Sequence, residues 1–170
     1  MMPPLPLWRC STFSKNLGLI DITFMGKRRK ARESTLQILF QLEFDATDPE
    51  IIADSFWKNK KATKEIEEHS RRLVMGITSE QESIDRLIQS VSANWRISRM
   101  AVVDRNVLRI AVYELLHEEN IAPAIVINEA IEIAKKYSSE EGATFVNGIL
   151  DAVRKAIQNK KRSPKEEQNG

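Results

Sequence analysis

A run of basic residues near the N-terminus is the part of the chain best suited to binding chemistry. The stretch Lys27-Arg28-Arg29-Lys30-Ala31-Arg32 places five cations in six positions. The formal net charge of all 170 residues is only +2, so the rest of the chain is acidic. Basic residues gathered at one place on an acidic protein form a footprint for a polyanion, most often nucleic acid. A solvated chain end has the same pattern, and charge alone leaves both interpretations open.

Aromatic and amide side chains that could contact nucleic-acid bases follow the basic run at helical spacing. At about 100° per residue, the apolar stripe of this segment leaves Arg29, Phe40 and Phe44 on the opposite side. An aromatic ring near guanidinium groups suits single-stranded RNA, because the cations bind phosphates while an unstacked base lies on the ring. Gln37, on the same flank, carries an amide that can read a base edge. Packing of the two rings against the next helix is the alternative, and helix geometry alone favours that alternative.

The elements that must position these residues are all predicted to be helices. Apolar residues recur at helical spacing from Lys27 onward, and no stretch alternates strictly enough to predict a strand. Six helices are predicted, over about residues 27–46, 49–57, 63–91, 98–116, 123–137 and 140–159. The fourth is apolar on almost every side, which is typical of a central, buried helix. The fold class is therefore all-α, with helices packed as one or two small bundles.

Capping residues predict where these helices begin. Asp48 followed by Pro49 predicts the start of the second helix, and Ser98 that of the fourth. The box Ser138-Ser139-Glu140-Glu141 predicts the start of the last helix. The third helix allows two interpretations: one long helix with a weak point at Gly76, which we favour, or a new start at the capping box of residues 79–82.

Composition divides the chain into three parts. Residues 1–26 have no periodicity and are expected to be a disordered or spurious N-terminal extension, with Met25 as the natural start. Residues 27–159 form the helical domain, and residues 160–170 are expected to be a disordered basic tail. The single cysteine, Cys10, excludes an internal disulfide, and no apolar run approaches the ~18 residues of a membrane span. These features predict a cytoplasmic protein.

The groups that catalysis would require are scarce. His69 and His117 are the only histidines, and neither has the partner of a zinc-binding helix motif. No glycine-rich phosphate loop follows a strand, because no strand is predicted. The sequence therefore predicts a protein that is not an enzyme and has neither a metal nor a cofactor.

Three segments, in this order, carry a family resemblance. They are Arg28-Arg29-Lys30-Ala31-Arg32-Glu33 running into Leu36-Gln37, then Val107-Leu108-Arg109-Ile110-Ala111-Val112-Tyr113-Glu114-Leu115, and finally residues 127–135 together with residues 145–151. In order and spacing they resemble the NusB family of bacterial transcription antitermination factors, over about residues 27–157. The last two segments together are highly specific for that family.

The resemblance implies an all-helical, non-catalytic protein of two small bundles packed across each other. Proteins of this family bind the boxA segment of nascent RNA together with NusE, a small-subunit ribosomal protein. The complex helps elongating RNA polymerase, with NusA and NusG, to pass terminators in ribosomal RNA operons. A homodimer and a monomer are both compatible with the sequence.

The resemblance also implies functional positions. The family's arginine-rich RNA-binding start is matched by Arg28, Arg29, Lys30 and Arg32. Phe40 stands where the family often has tyrosine. A region near the bound RNA is matched by Glu141, Thr144, Phe145 and Asn147. Asp104 falls at an acidic position implicated in contact with NusE, where a negative charge suits a basic partner. Structural alternatives stay open: Phe145 in the core, Asn147 as a cap, and Asp104 paired with an arginine.

Two other functions fit the same helices. A domain of this kind occurs in front of ribosomal RNA cytosine methyltransferases, but that activity needs a catalytic domain with a cofactor loop, which these 170 residues do not contain. The other candidate is a helical protein-interaction or dimerisation module, in which the basic run only solvates one end.

Overall fold

The computed structural model describes the backbone of residues 19–166 and the side chains of residues 25–163. Within this part of the chain lie α1 (Leu19–Leu42), α2 (Pro49–Lys58), α3 (Lys64–Ser79), α4 (Gln81–Val91), α5 (Val102–His117), α6 (Pro123–Tyr137) and α7 (Glu140–Glu166). A short 3₁₀ helix, Ile97–Arg99, precedes α5. The all-α prediction is confirmed. None of these helices is long and apolar enough to cross a membrane.

Two hydrophobic cores divide the helices into two small bundles. The smaller core lies between α1, α2 and α3, where Ile38 and Val74 are fully buried beside Phe56 and Trp57. The larger core is built mainly from α4 to α7, and it also takes residues from α1 and α3. The bundles are joined because these two helices carry apolar residues on more than one face.

The helix α5 lies at the centre of the larger bundle, as the sequence predicts. It packs against α1, α3, α4, α6 and α7. Its apolar residues Val107, Leu108 and Val112 are at most 1% exposed. Because of its central position, α5 contacts both α1 and α7, the first and last helices of the described part of the chain.

Both terminal helices differ from their predicted bounds. The first begins at Leu19, inside the predicted extension, and ends at Leu42 rather than near Ala46. Its end coincides with a turn in which the Asp45 carboxylate accepts a hydrogen bond from the Thr47 amide. The last helix continues to Glu166, past the predicted end near Asn159. The predictions for residues 1–18 and 167–170 lie outside the described residues.

The prediction of a single third helix, which we favour, is wrong, because the helix is interrupted at Glu80, between α3 and α4. The alternative, a new helix that starts within residues 79–82, is confirmed in position, since α4 begins at Gln81. Gly76 does not cause the break. The helix passes through Gly76, where a Cβ would overlap the Tyr113 ring, so glycine permits a close approach of α5. The hydrogen bond expected from the capping box does not form at the start of α4, since Ser79 Oγ donates back to the Gly76 carbonyl. The break directs Ile84 into the larger core.

The other caps agree with the sequence in part. Asp48 caps α2 by accepting from the Glu50 amide at 2.8 Å, as predicted. The predicted Ser98 cap is wrong: Ser98 lies in the 3₁₀ helix and α5 begins after Ala101. At α7 the hydroxyl that caps is Ser139, which accepts from the Gly142 amide at 3.0 Å.

Candidate nucleic-acid interface

One face of α1, together with the turn that follows it, presents aromatic and cationic side chains to solvent. Arg29, Lys30, Phe40 and Phe44 are exposed, and Gln37 is half-buried. The Phe40 and Phe44 side chains are 41% and 72% exposed, and their ring centroids are 5.2 Å apart. The predicted position of Arg29, Phe40 and Phe44, away from the apolar stripe, is therefore confirmed.

The alternative that helix geometry favoured, packing of these rings into the second helix, is wrong. The aromatic residues of α2, Phe56 and Trp57, form an edge-to-face pair with each other and are buried in the smaller core. Phe40 and Phe44 instead pack on one another at the surface. Exposed adjacent rings are costly to hydrate and offer a platform on which bases can stack.

The cation most central to this face is held in position by an acidic partner. Arg29 donates from Nε and Nη2 to the two carboxylate oxygens of Glu129 on α6, at 2.8 and 2.6 Å. This hydrogen bonding raises the pKa of the Arg29 guanidinium above its usual value. The side chain remains 45% exposed. Arg29 is thus oriented and permanently charged, with surface left to contact a phosphate.

The two residues before Arg29 turn towards α3 and the C-terminal end of α5. Lys27 Nζ lies 2.7 Å from Glu65 on α3. Arg28 Nη1 lies 3.9 Å from the Glu118 carboxylate, and its side chain is 25% exposed. The same region contains His69, whose pKa is lowered to about 4 by burial and by the charges of Arg28 and neighbouring arginines. The basic run is therefore divided between different faces of the protein.

Arg32 does not belong to the surface, which corrects the expectation that it contacts RNA. Its side chain is only 4% exposed, and Nε donates to both oxygens of Glu114 at 3.0 and 2.8 Å. Its Nη1 also lies 3.5 Å from Glu129. A guanidinium held between two buried carboxylates fastens α1 to α5 and α6, and in this position it cannot reach a phosphate.

A second groove brings together three of the residues matched near the start of α7. Glu141, Thr144 and Phe145 line a cleft of about 720 Å³ together with Trp95, which is 58% exposed. The Trp95 and Phe145 ring centroids are 6.2 Å apart, edge to face. Asn147 is exposed and lies outside the lining of this cleft. Carboxylates here disfavour phosphate but accept hydrogen bonds from base amino groups.

The first turn of α5 lies between this cleft and the aromatic end of α1. Arg105 donates to Glu43, directly after α1, at 2.8 and 3.3 Å. Burial acts to raise the pKa of Glu43, but hydrogen bonds and charge from Arg105 and Arg109 outweigh it and lower that pKa. On the other side, a Cβ at Gly142 of α7 would lie 2.8 Å from Asp104 Oδ1. These contacts fix the two regions relative to each other.

The comparison with protein families agrees with this geometry. A model of the NusB family matches residues 29–155. The chain belongs to the NusB family. The transcription antitermination protein NusB of Anaeromyxobacter sp. (strain Fw109-5) is 46% identical over 128 residues, covering 75% of this chain and 89% of the relative. That of Bdellovibrio bacteriovorus is 46% identical over 132 residues, covering 76% and 96%.

Solved structures of NusB proteins share the fold. T. maritima NusB superposes with a TM-score of 0.71 at 43% identity, covering 75% of this chain and 90% of its own. A crystal structure of antitermination factors NusB and NusE in complex with dsRNA gives a TM-score of 0.71 at 29% identity, covering 78% and 98%. The predicted membership of the NusB family and its two-bundle fold are confirmed.

The residue matched to a partner-binding position of the NusB family, Asp104, is 93% buried rather than presented at the surface. In the described part of the chain its Oδ1 has no hydrogen-bond partner and no arginine forms an ion pair with it. It lies in the first turn of α5 and against the first turn of α7, where helix N-termini favour a carboxylate. Asp104 is therefore buried between two helix N-termini, and its contact with NusE stays a prediction.

The match to the NusB family did not point to a further groove, which lies beside α1 and is lined by cations. Lys60 and Lys61, in the loop between α2 and α3, line it together with Lys30 and Gln37. The signal in the sequence was the local density of lysines at residues 58–61. It was missed because only tertiary packing brings this loop beside α1.

Proposed function

We propose that this chain is a transcription antitermination factor that binds boxA-type RNA of ribosomal RNA operon transcripts together with the ribosomal protein NusE. In this role it supports elongation by RNA polymerase, with NusA and NusG, through terminators in the bacterial cytoplasm. It acts by binding rather than by catalysis. Membership of the NusB family supports the biological role.

The observation that carries RNA binding is the exposed face of α1. The exposed ring of Phe40 lies on the side of α1 that carries Arg29 and Lys30, and the ring of Phe44, in the turn directly after α1, packs beside it. Lys and Arg bind phosphates of any sequence, while rings bind unstacked bases. Gln37 lies between the charged and aromatic parts, where its amide can meet a base edge. This face has the components of a single-strand RNA site.

A NusB relative has been crystallised with NusE and dsRNA. For this chain, the exposed rings favour a strand with unstacked bases, because bases in a duplex are not available for stacking on a side chain. The same RNA sequence offered as a single strand and as a duplex separates the two modes. We expect the single strand to bind more tightly.

Replacing Arg29 by alanine is expected to weaken RNA binding and to flatten its salt dependence. Four phosphate contacts give a slope of log affinity against log salt near −3, at about −0.7 per contact on a single strand. Loss of one contact therefore reduces the magnitude of the slope by about 0.7. Fluorescence anisotropy of a labelled boxA-type RNA, titrated at several salt concentrations, measures this change.

Two further variants control this experiment. Arg29→Lys retains the charge and should keep the slope, although it loses the two-pronged contact with Glu129. Arg86→Ala removes an exposed arginine of α4 that pairs with Glu82, and it should leave binding unchanged. An unchanged slope in Arg29→Ala, with the protein folded, would exclude this face of α1 as the RNA site.

A further inference from the structure

A groove on one side of α1 is lined mainly by side chains that donate hydrogen bonds. It has a volume of about 600 Å³ and lies between α1 and the loop that joins α2 to α3. Its cationic lining residues are Lys30, Lys60 and Lys61. Ser34, Gln37 and Thr63 add hydroxyl and amide groups. Clefts of about 300–1,000 Å³ are the usual size for small ligands or for part of a larger one.

The charge of this groove is not neutralised from within the described part of the protein. None of Lys30, Lys60 and Lys61 has a carboxylate within 4.0 Å there. The groove has one carboxylate, Glu33, and it is bound by Lys136 at 2.9 Å. Other cations of the basic run, such as Lys27 and Arg29, have acidic partners at 2.6–2.7 Å. Three like charges around one concave surface favour an anion.

One of these ammonium groups is held in place by neutral groups. Lys60 Nζ donates to Gln37 Oε1 at 3.1 Å and lies 4.1 Å from the centroid of the Phe56 ring. Both contacts orient the ammonium group without cancelling its charge. Lys60 is thus positioned beside α1 and remains able to bind an anion.

Helix geometry connects the groove to the exposed rings. Lys30 and Gln37 are spaced by seven residues of α1, which is close to two helical turns, so they follow one line along the helix. Phe40 lies three residues beyond Gln37, about one turn further along α1, and its ring packs on that of Phe44 in the turn that follows the helix. Gln37 lies at the groove through its contact with Lys60. A strand whose bases stack on the rings can therefore follow this line and bring its phosphates to the lysines. A ligand of alternating rings and phosphates matches this arrangement better than an acidic peptide does.

We propose that the groove of Lys30, Lys60 and Lys61 binds backbone phosphates of single-stranded RNA, extending the site on α1 towards the α2–α3 loop. This inference rests on the proposed RNA-binding function. It assigns Lys60 and Lys61 as two phosphate contacts in addition to the basic run.

The test replaces both loop lysines in the full chain, as Lys60→Gln with Lys61→Gln. The magnitude of the salt slope for a single-stranded boxA-type RNA is expected to fall by about 1.4, at about 0.7 for each lost contact. The midpoint of thermal unfolding should stay unchanged, since both lysines are exposed. The pair Lys60→Arg with Lys61→Arg should restore the slope, because the charge returns.

The matched control is Lys160→Gln with Lys161→Gln, which removes the same charge from adjacent exposed lysines of α7. An equal decrease of the salt slope in this control would assign the effect to net charge and overturn the proposal that the groove binds phosphates. So would an unchanged slope in the Lys60/Lys61 pair while Arg29→Ala still weakens binding, a result that leaves the proposed function intact. Absence of RNA binding by the wild-type chain would overturn both. If polyglutamate binds as tightly as RNA, the groove is a site for an acidic peptide, and the proposal that it binds RNA phosphates is overturned.

Discussion

Replacing Arg32 by alanine is expected to lower the free energy of unfolding by about 3–5 kcal/mol. Arg32 is 3% exposed and Glu114 is 1% exposed, and the two form a two-pronged ion pair between α1 and α5. Removing the guanidinium leaves a buried carboxylate without its partner, which is far more costly than losing a surface pair. Urea denaturation followed by circular dichroism measures the change.

The buried acid itself indicates how the pair should respond to a double replacement. Burial raises the pKa of the Glu114 carboxyl above its ordinary value, and the hydrogen bonds from Arg32 offset only part of that effect. The ionised pair is therefore not strongly favoured over apolar side chains of similar size. The variant Arg32→Met with Glu114→Met should be more stable than Arg32→Ala alone.

The control for this prediction is Lys30→Ala, which removes an exposed cation from the same helix and should change stability by no more than about 0.5 kcal/mol. A loss below about 1 kcal/mol in Arg32→Ala, combined with a large loss of RNA affinity, would contradict this role. That result would return Arg32 to the RNA-binding surface.

Replacing Phe40 by alanine is expected to weaken binding of single-stranded RNA by roughly 5- to 150-fold. Stacking of a base on an aromatic side chain contributes about 1–3 kcal/mol. The ring is 41% exposed and its aromatic neighbour is the still more exposed Phe44, so the fold should tolerate its loss. Anisotropy titration at fixed salt measures the affinity, and the salt slope should stay constant because no phosphate contact is lost.

Two variants make this result specific to the ring. Phe40→Tyr keeps the aromatic face and should retain wild-type affinity within a few fold. Ile125→Ala removes an apolar side chain of α6 with the same exposure, 42%, and should leave the affinity unchanged. Equal affinity of Phe40→Ala and the wild type would show that bases do not stack at this position.

Local periodicity was sufficient for the helices and for the exposed face of α1, because both depend on residues close in sequence. It predicted that Phe40 and Phe44 turn away from the apolar stripe, and they do. It could not show that Arg32 leaves the surface. That depends on Glu114, 82 residues away, and on Glu129 in another helix.

The remaining differences also arise from tertiary packing. The break at Glu80 was the less favoured of two interpretations, because Gly76 was expected to be the weak point, whereas it accommodates Tyr113 within an unbroken helix. Asp104 was expected at a protein surface, but the first turn of α7 covers it. Lys60 and Lys61 gained significance only when the loop was placed beside α1. Sequence pattern thus identified the helix that carries the proposed site, while long-range contacts decided which of its residues stay exposed.

The proposal that this chain and NusE bind RNA jointly is tested most directly by one titration. A labelled single-stranded boxA-type RNA is titrated with the wild-type chain, with and without NusE, at several salt concentrations. Binding by the chain alone with a slope near −3, and tighter binding when NusE is present, is the expected result. No binding in either case would contradict the RNA-binding role and favour a helical protein-interaction module.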